Sequence, residues 1–531
     1  MDDMPRPFQP EDLRRRWRDG SEIALFDVRE EGPYADAHPL FAISLPLTRI
    51  ESDIFDLVPR RNAPIVLYDD GEGLAERARS LIEGLGYSDV TILEGGLRGY
   101  ERRGELYRDV NVPSKAFGEL VESIRHTPSL AASEVKALLD GGADMAILDS
   151  RRFEEYRTMS IPGGISVPGG ELVLRAGDAA PSPDTLVIVN CAGRTRSIIG
   201  TQSLINAGLP NRVAALRNGT IGWTLAGFPL DRGRTESFPP TSETARAGAR
   251  AAAARWAERV GVRVISRAWL RDWLTESNRH TLYRLDVRTP EEYAAGHPRG
   301  FRSAPGGQLV QATDEWVAVR GARIVLFDDD GVRARMTASW LVQMGWQAVV
   351  LEEGALPCDE TGTPARQRPP IPPGRPPLSP ADLDRWGPEA CVLDLARSPE
   401  YAAGHIPGAR FVLRSRFAAD LPDLPGAGPI VLTSPDGAAA AYAAEEAARH
   451  TRRPVHFLTG GTKAWSDAGF PLEHEAHHWL SPAIDVYKRP YEGTDNAADA
   501  MQAYIDWELQ LVAQLANDGV SNFHVVRPEA P

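Results

Sequence analysis

Cysteine is scarce in this chain, with three residues in 531. Thiols this few, at positions 191, 358 and 391, build neither a disulfide framework nor a multi-thiolate metal site. Long apolar runs are missing too, since none approaches the ~20 residues that span a bilayer. Basic charge is in deficit: 59 Lys and Arg stand against 73 Asp and Glu, a net charge of −14. Nucleic acid, whose phosphates need a basic face, is therefore not an expected partner, and neither is a membrane. The opening MDDMPRPFQPEDL has no basic n-region and no apolar h-region, so no export signal is read there. These absences point to a reducing cytoplasm. What is present is a globular composition, 42% hydrophobic and 25% charged. The length calls for roughly three to five domains.

The chain repeats itself. A short apolar run ends in Asp four times: ALFDVRE (Asp27), AILDSRR (Asp149), YRLDVRT (Asp286) and CVLDLAR (Asp394). A second apolar run follows, and the residue just past it is Asp69, Cys191 or Asp328, each 42 residues on, or Ser434, 40 on. A third landmark lies 30 to 32 residues further, in EGGLRGY, RNGTIGW, EEGALPC and TGGTKAW. Three landmarks kept in register four times mean tandem domains rather than a solenoid. The apolar runs are short, continuous and rich in Val, Ile and Leu, as buried parallel strands are. Helical patterns alternate with them, as in SEVKALLDGG and TASWLVQMG. The expected fold is α/β, with each copy a parallel sheet flanked by helices.

The copies are read over 6–108, 127–234, 263–362 and 377–475, with a tail over 476–531. The proline-rich PARQRPPIPPGRPP (364–377) reads as an extended linker. The Ala/Arg-rich 241–261 reads as a connecting helix. The tail predicts one capped amphipathic helix, with Thr494 or Asp495 as N-cap and Gly519 as C-cap. Its stripe of Met501, Tyr504, Ile505, Leu509 and Val512 is expected to pack on a neighbouring domain.

The landmarks as a set resemble the rhodanese homology domain. They combine the Asp-x-Arg strand end, the stretches EYAAGHIPGA (Glu400–Ala409) and EEYAAGHPRG (Glu291–Gly300), a strand–Cys-loop–helix and a G-G-x-x-x-W element. The resemblance implies four such domains over about nine-tenths of the chain, with the family's cysteine in copy two alone. It also implies a sulfurtransferase in which Cys191 carries sulfane sulfur as a persulfide. Thiosulfate or a related small molecule would be the donor, and a thiol or cyanide the acceptor. No cofactor and no metal are implied.

The loop VIVNCAGRTRSIIG has its own physical logic. A sulfur between a strand and a helix N-terminus faces backbone N–H groups and a favourable dipole. With Arg194 and Arg196 beside it, Cys191 is expected to have a lowered pKa. Gly193 is expected to relieve the turn. Ala192, Gly193, Arg194, Thr195, Arg196 and Ser197 are the expected substrate cradle. Asp149 and Arg151 either orient the substrate or form a structural ion pair. Classical members carry a further basic residue where this chain has Glu154 and Glu155, which weakens the case for thiosulfate. The arginines in the loop disfavour mercaptopyruvate.

Related cysteine phosphatases and arsenate reductases keep five residues between Cys and Arg, whereas four separate Cys191 from Arg196. That class is the first alternative, and a sulfur-relay or binding protein with little turnover is the second. Asp69, Asp328 and Ser434 leave the other copies inactive. The acids at 328–330 are expected to be solvated. Cys358 and Cys391 are expected to pack, and HEAHH (His474–His478) lacks metal-site spacing. Copies one and two would pair as in two-domain rhodaneses, and copies three and four as an inactive pair. A homodimer and a sulfur-acceptor protein remain open as partners.

Overall fold

The computed structural model describes residues 6–527. The first five residues of the opening stretch and the last four of the tail lie outside them. Four sheets form, and all their strand pairs are parallel. In copy two the order across the sheet is Ser129–Leu130, Val213–Leu216, Leu186–Asn190, Met145–Asp149, Ile165–Ser166. Copies three and four repeat that order. Copy one has four strands, with a single bridge from Phe8 to Leu93 in place of the fifth.

Apolar runs make these strands because both faces are covered. In copy two Ile188 packs with Val135 and Trp223 on one side. Val187 and Val189 pack with Leu172 and Leu204 on the other. The repeat register is exact in space: Asp149 lies opposite Asn190, Asp27 opposite Tyr68, Asp286 opposite Phe327 and Asp394 opposite Thr433. The next residue, Cys191, Asp69, Asp328 or Ser434, therefore leaves each sheet at the same point. The shorter spacing in copy four falls in the crossover and leaves that point unmoved.

The copies pair in a nested order, which corrects the expected one–two and three–four pairs. One compact unit holds 24–110 and 365–487, that is, copies one and four. The other holds 111–364, copies two and three, with 11–23 and the tail from 488. Copies two and three meet through Pro-Gly-Gly at 168–170 and 305–307. A Cβ on Gly170 would stand 2.8 Å from Gly307 N, and one on Gly307 2.6 Å from Gly170 N, so only glycine permits the approach. The connecting helix forms at Glu243–Val260, capped by Ser242 Oγ and closed by Gly261. It wedges Ala252, Ala253 and Trp256 into a core shared with Leu174 of copy two and Met336 of copy three. In the other unit, Arg414 of copy four is buried against Glu51 and the Leu47 carbonyl of copy one.

The tail is two helices, Ala498–Glu508 and Leu511–Asp518, where the sequence predicts one. Ala497, with no side-chain bond, stands at the N-cap instead of Thr494 or Asp495. Gly519 ends the second helix at φ +62°. Met501, Tyr504 and Ile505 are buried as expected, whereas Leu509 lies at the break and is 54% exposed. The tail is clamped: Arg14 donates to Asp518 Oδ1 at 2.5 Å, and the Val526 N–H donates to Gln343 Oε1 at 2.9 Å.

Candidate active site

Strand Leu186–Asn190 delivers Cys191 to the start of helix Thr195–Ala207. A second element pins the loop. The Thr220 and Ile221 N–H groups donate to the Cys191 and Ala192 carbonyls at 2.9 and 3.0 Å. Gly219, at φ +52°, makes this possible, because a Cβ there would stand 2.2 Å from the Cys191 oxygen. Gly96 and Gly461 press in the same way on Asp69 and Ser434 of copies one and four. This explains the third sequence landmark in those copies. In copy three the helix that should carry the aromatic is absent, so Cys358 is exposed, not packed. Cys391 does lie against the core of copy four.

One contact recurs in all four copies. The amide six residues beyond the strand end faces the side chain at the strand end. Ala75 N–H donates to Asp69 Oδ2 at 3.0 Å, Ala334 N–H to Asp328 Oδ2 at 2.8 Å, and Ala440 N–H to Ser434 Oγ at 3.3 Å. In copy two the Cys191 sulfur meets the Ser197 amide and lies 3.4 Å from Ser197 Oγ. Carboxylates thus fill the anion position in copies one and three. Asp328 and Asp330 are 1% and 0% exposed, which overturns the reading of these acids as solvated for those two, whereas Asp329 is exposed as expected. Asp330 is held by Arg333 at 2.5 Å.

The electrostatics of copy two differ from the sequence expectation. Cys191 is 1% exposed. Burial pushes its thiol above the ordinary value, outweighing the Arg196 charge and the Ser197 hydrogen bonds, and the Glu508 charge pushes it further. The arginines are already neutralised. Arg196 donates twice to Glu155, at 2.7 and 2.8 Å. Burial pushes the Glu155 carboxyl up, but Arg196 outweighs it and holds the carboxyl down to about 2. Arg194 donates to Glu119 at 2.7 and 2.8 Å, to Glu122, and to Asn218 Oδ1 at 3.1 Å. Both side chains face carboxylates of this chain, not an open anion site.

Asp149 and Arg151 form a buried ion pair, Nε to Oδ1 at 2.9 Å and Nη2 to Oδ2 at 2.7 Å. Arg151 also donates to the Met159 carbonyl, and Asn190 Nδ2 donates to Asp149 at 2.9 Å. Arg29–Asp27 and Arg288–Asp286 repeat the pair in copies that lack the loop cysteine. The geometry is that of a structural clamp. Copy four has Ala396 in place of the arginine, and there burial pushes Asp394 up to about 6.

Sequence reasoning missed the cover of the loop. A Cβ on Gly193 would stand 3.3 Å from Tyr504 Cε1 and 3.5 Å from Glu508 Oε2, both on the tail. Gly193 therefore admits the tail; its φ is not positive. Tyr504 Oη donates to Glu508 Oε1 at 2.8 Å, and Thr195 Oγ1 approaches the same oxygen at 3.5 Å. The signal was the i, i+4 pair Tyr504–Glu508 on a helix read only for its apolar stripe. Beside the loop, a cavity of about 40 Å³ is lined by Ser150, Arg196, Gly200, Gly306, Thr337 and Trp340, among others. Among the described residues, no cluster of three His, Cys, Asp or Glu could hold a metal, and no helix is long and apolar enough to cross a membrane.

The rhodanese-like domain family model matches residues 9–103, 131–226, 266–356 and 379–468. The chain belongs to the rhodanese-like family. This rhodanese-like chain is similar throughout to a crystal structure of a thiosulfate sulfurtransferase from Pseudomonas aeruginosa, at 55% identity and TM-score 0.95, covering 98% of this chain and 99% of that one. A thiosulfate sulfurtransferase of Azotobacter vinelandii is 28% identical over 37% of this chain and 80% of its own length. A further one from P. aeruginosa is 26% identical over 37% of this chain and 85% of its own length. The chain is a rhodanese-type sulfurtransferase with four tandem domains.

Proposed function

We propose that this rhodanese-like chain moves sulfane sulfur from thiosulfate to a thiol or cyanide through a Cys191 persulfide. One observation carries the reading. Where the other copies place Asp or Ser against the amide six residues on, copy two places a sulfur that faces Ser197, 3.4 Å from its Oγ. The Cys191 thiolate attacks the outer sulfur of thiosulfate. A new S–S bond forms, the old one breaks, and sulfite leaves with the bonding pair. The persulfide rests against the Ser197 amide. An acceptor thiolate then attacks the outer sulfur, and Cys191 departs as thiolate, a two-step covalent route. The names of the similar proteins agree with thiosulfate as donor. With four residues between Cys191 and Arg196, and Arg196 already paired to Glu155, the loop is poorly suited to a phosphate or arsenate oxyanion.

Ala192, Gly193, Thr195 and Ser197 supply the backbone around the sulfur, and Arg194 and Arg196 set its charge environment through their carboxylate partners. A reading as a relay with little turnover draws on the burial and raised pKa of Cys191. Intact mass after thiosulfate treatment tests the central claim: one added sulfur is expected, and Cys191→Ala should gain none. A wild-type protein that gains nothing from thiosulfate, mercaptopyruvate or a persulfide would end the proposal. Thiocyanate release over many turnovers separates enzyme from relay.

A further inference from the structure

The tail brings a charged group to the Cys191 loop that the sulfur-transfer scheme does not use. Glu508 is 1% exposed. Its Oε1 accepts from Tyr504 Oη, while its Oε2 is buried, faces Gly193, and has no hydrogen-bond partner among the described residues. The helix holding it is fixed from several sides. On that helix the Lys115 ammonium lies 5.2 and 5.6 Å from the rings of Tyr504 and Trp507; ahead of it the same ammonium lies 5.4 Å from Tyr491, and on the next helix Asp518 is locked to Arg14. A clamped carboxyl with one free oxygen over a nucleophile's loop is part of the site, not a loose flap.

We propose that Glu508 is a positioning residue of the Cys191 site: ionised, it repels anionic reagents and disfavours the thiolate; protonated, it admits both. The groups facing it agree. Burial raises its carboxyl to about 7 and the Glu119 charge adds to this, while Lys115, Tyr504 and Arg194 pull the other way. Cys191 in turn feels the Glu508 charge. In copies one and three the side chains of Asp69 and Asp328 themselves take the amide contact at the position of the Cys191 sulfur. This inference deepens the sulfur-carrier reading and rests on Cys191 as the reacting atom.

The test compares iodoacetate with iodoacetamide on the full-length chain from pH 5.5 to 9. Modification is followed at the Cys191 peptide, in a Cys358→Ser background because Cys358 is exposed. Wild type should lose iodoacetate reactivity relative to iodoacetamide as pH rises through about 7. Glu508→Gln should remove that step and raise the ratio roughly three- to tenfold above it. Tyr504→Phe removes a bond that favours the ionised carboxyl, so the midpoint should move to higher pH. The apparent Cys191 pKa, from thiolate absorbance, should fall in Glu508→Gln. A ratio that stays flat in wild type, or unchanged in both variants, overturns the proposal, as does an unmoved Cys191 pKa if the reagents fail to reach the sulfur. A wild type that shows the charge step but gains no sulfur from any donor would leave this inference standing and remove the sulfur-transfer reading.

Discussion

Arg196 points its guanidinium at Glu155, in a two-point ion pair of 2.7 and 2.8 Å, and not toward an empty anion site. The positive charge that acts on the Cys191 sulfur is thus spent within the protein. Glu155→Gln should restore it. Cys191 should then alkylate with iodoacetamide roughly tenfold faster near neutrality, for a pKa drop of about one unit. The thermal midpoint should fall, because a buried arginine loses its counter-charge at a cost of about 3 kcal/mol. Unchanged alkylation would show that Arg196 does not govern the sulfur.

Gly219 is the position most intolerant of a methyl group near the site. A Cβ there would stand 2.2 Å from the Cys191 carbonyl oxygen, and the backbone is at φ +52°. Gly219→Ala should displace the loop and reduce persulfide formation by more than about tenfold, with a loss of at least about 2 kcal/mol from strain and contact together. Stopped-flow loading and thermal melting read the two effects separately.

Arg194 binds Glu119, Glu122 and Asn218, and its charge also offsets that of Glu508. Arg194→Gln leaves acids facing one another in a buried place. Stability should fall by about 3–5 kcal/mol, and the loss should grow with pH as the carboxylates ionise. An Arg194→Gln protein as stable as wild type, with only KM for thiosulfate raised, would instead make Arg194 a direct donor contact.

Burial raises Glu30, Asp314, Asp328 and Glu508 to about 7 each. For such groups the folded chain holds protons that the unfolded chain releases near pH 4. Their stabilisation is therefore whole below pH 4 and is lost as pH climbs through 7. The melting temperature of the wild type should drop between pH 5 and pH 8. Asp328→Asn should show a shallower drop, smaller by at most about 4 kcal/mol of linked free energy. A melting temperature that rises over this interval would contradict the direction.

The four domains were legible because strand ends, loops and glycine landmarks are local patterns, and the sheets place Asp149 against Asn190 in the same register as the other three pairs. The strand–Cys-loop–helix was legible for the same reason. The charge state of Cys191 was not, since the partners that neutralise Arg194 and Arg196 lie 75, 72 and 41 positions away in sequence. Nor was the pairing of copies. The Pro-Gly-Gly contacts at 168–170 and 305–307 mark an approach only once both are seen together. The tail's apolar stripe announced burial of Met501 and Tyr504 but not the surface they meet, and the break at Leu509 has no proline or glycine to signal it.

The nested order of copies has a consequence for biosynthesis. Copies two and three are contiguous, and their Pro-Gly-Gly contact needs nothing translated after copy three. Copy one differs, because Arg414, which fills its Glu51 and Leu47 contacts, is translated more than 350 residues later. At roughly 5–20 residues per second, the amino-terminal copy waits for tens of seconds for its partner. Through that wait the face around Glu51 and Leu47 stays open to water.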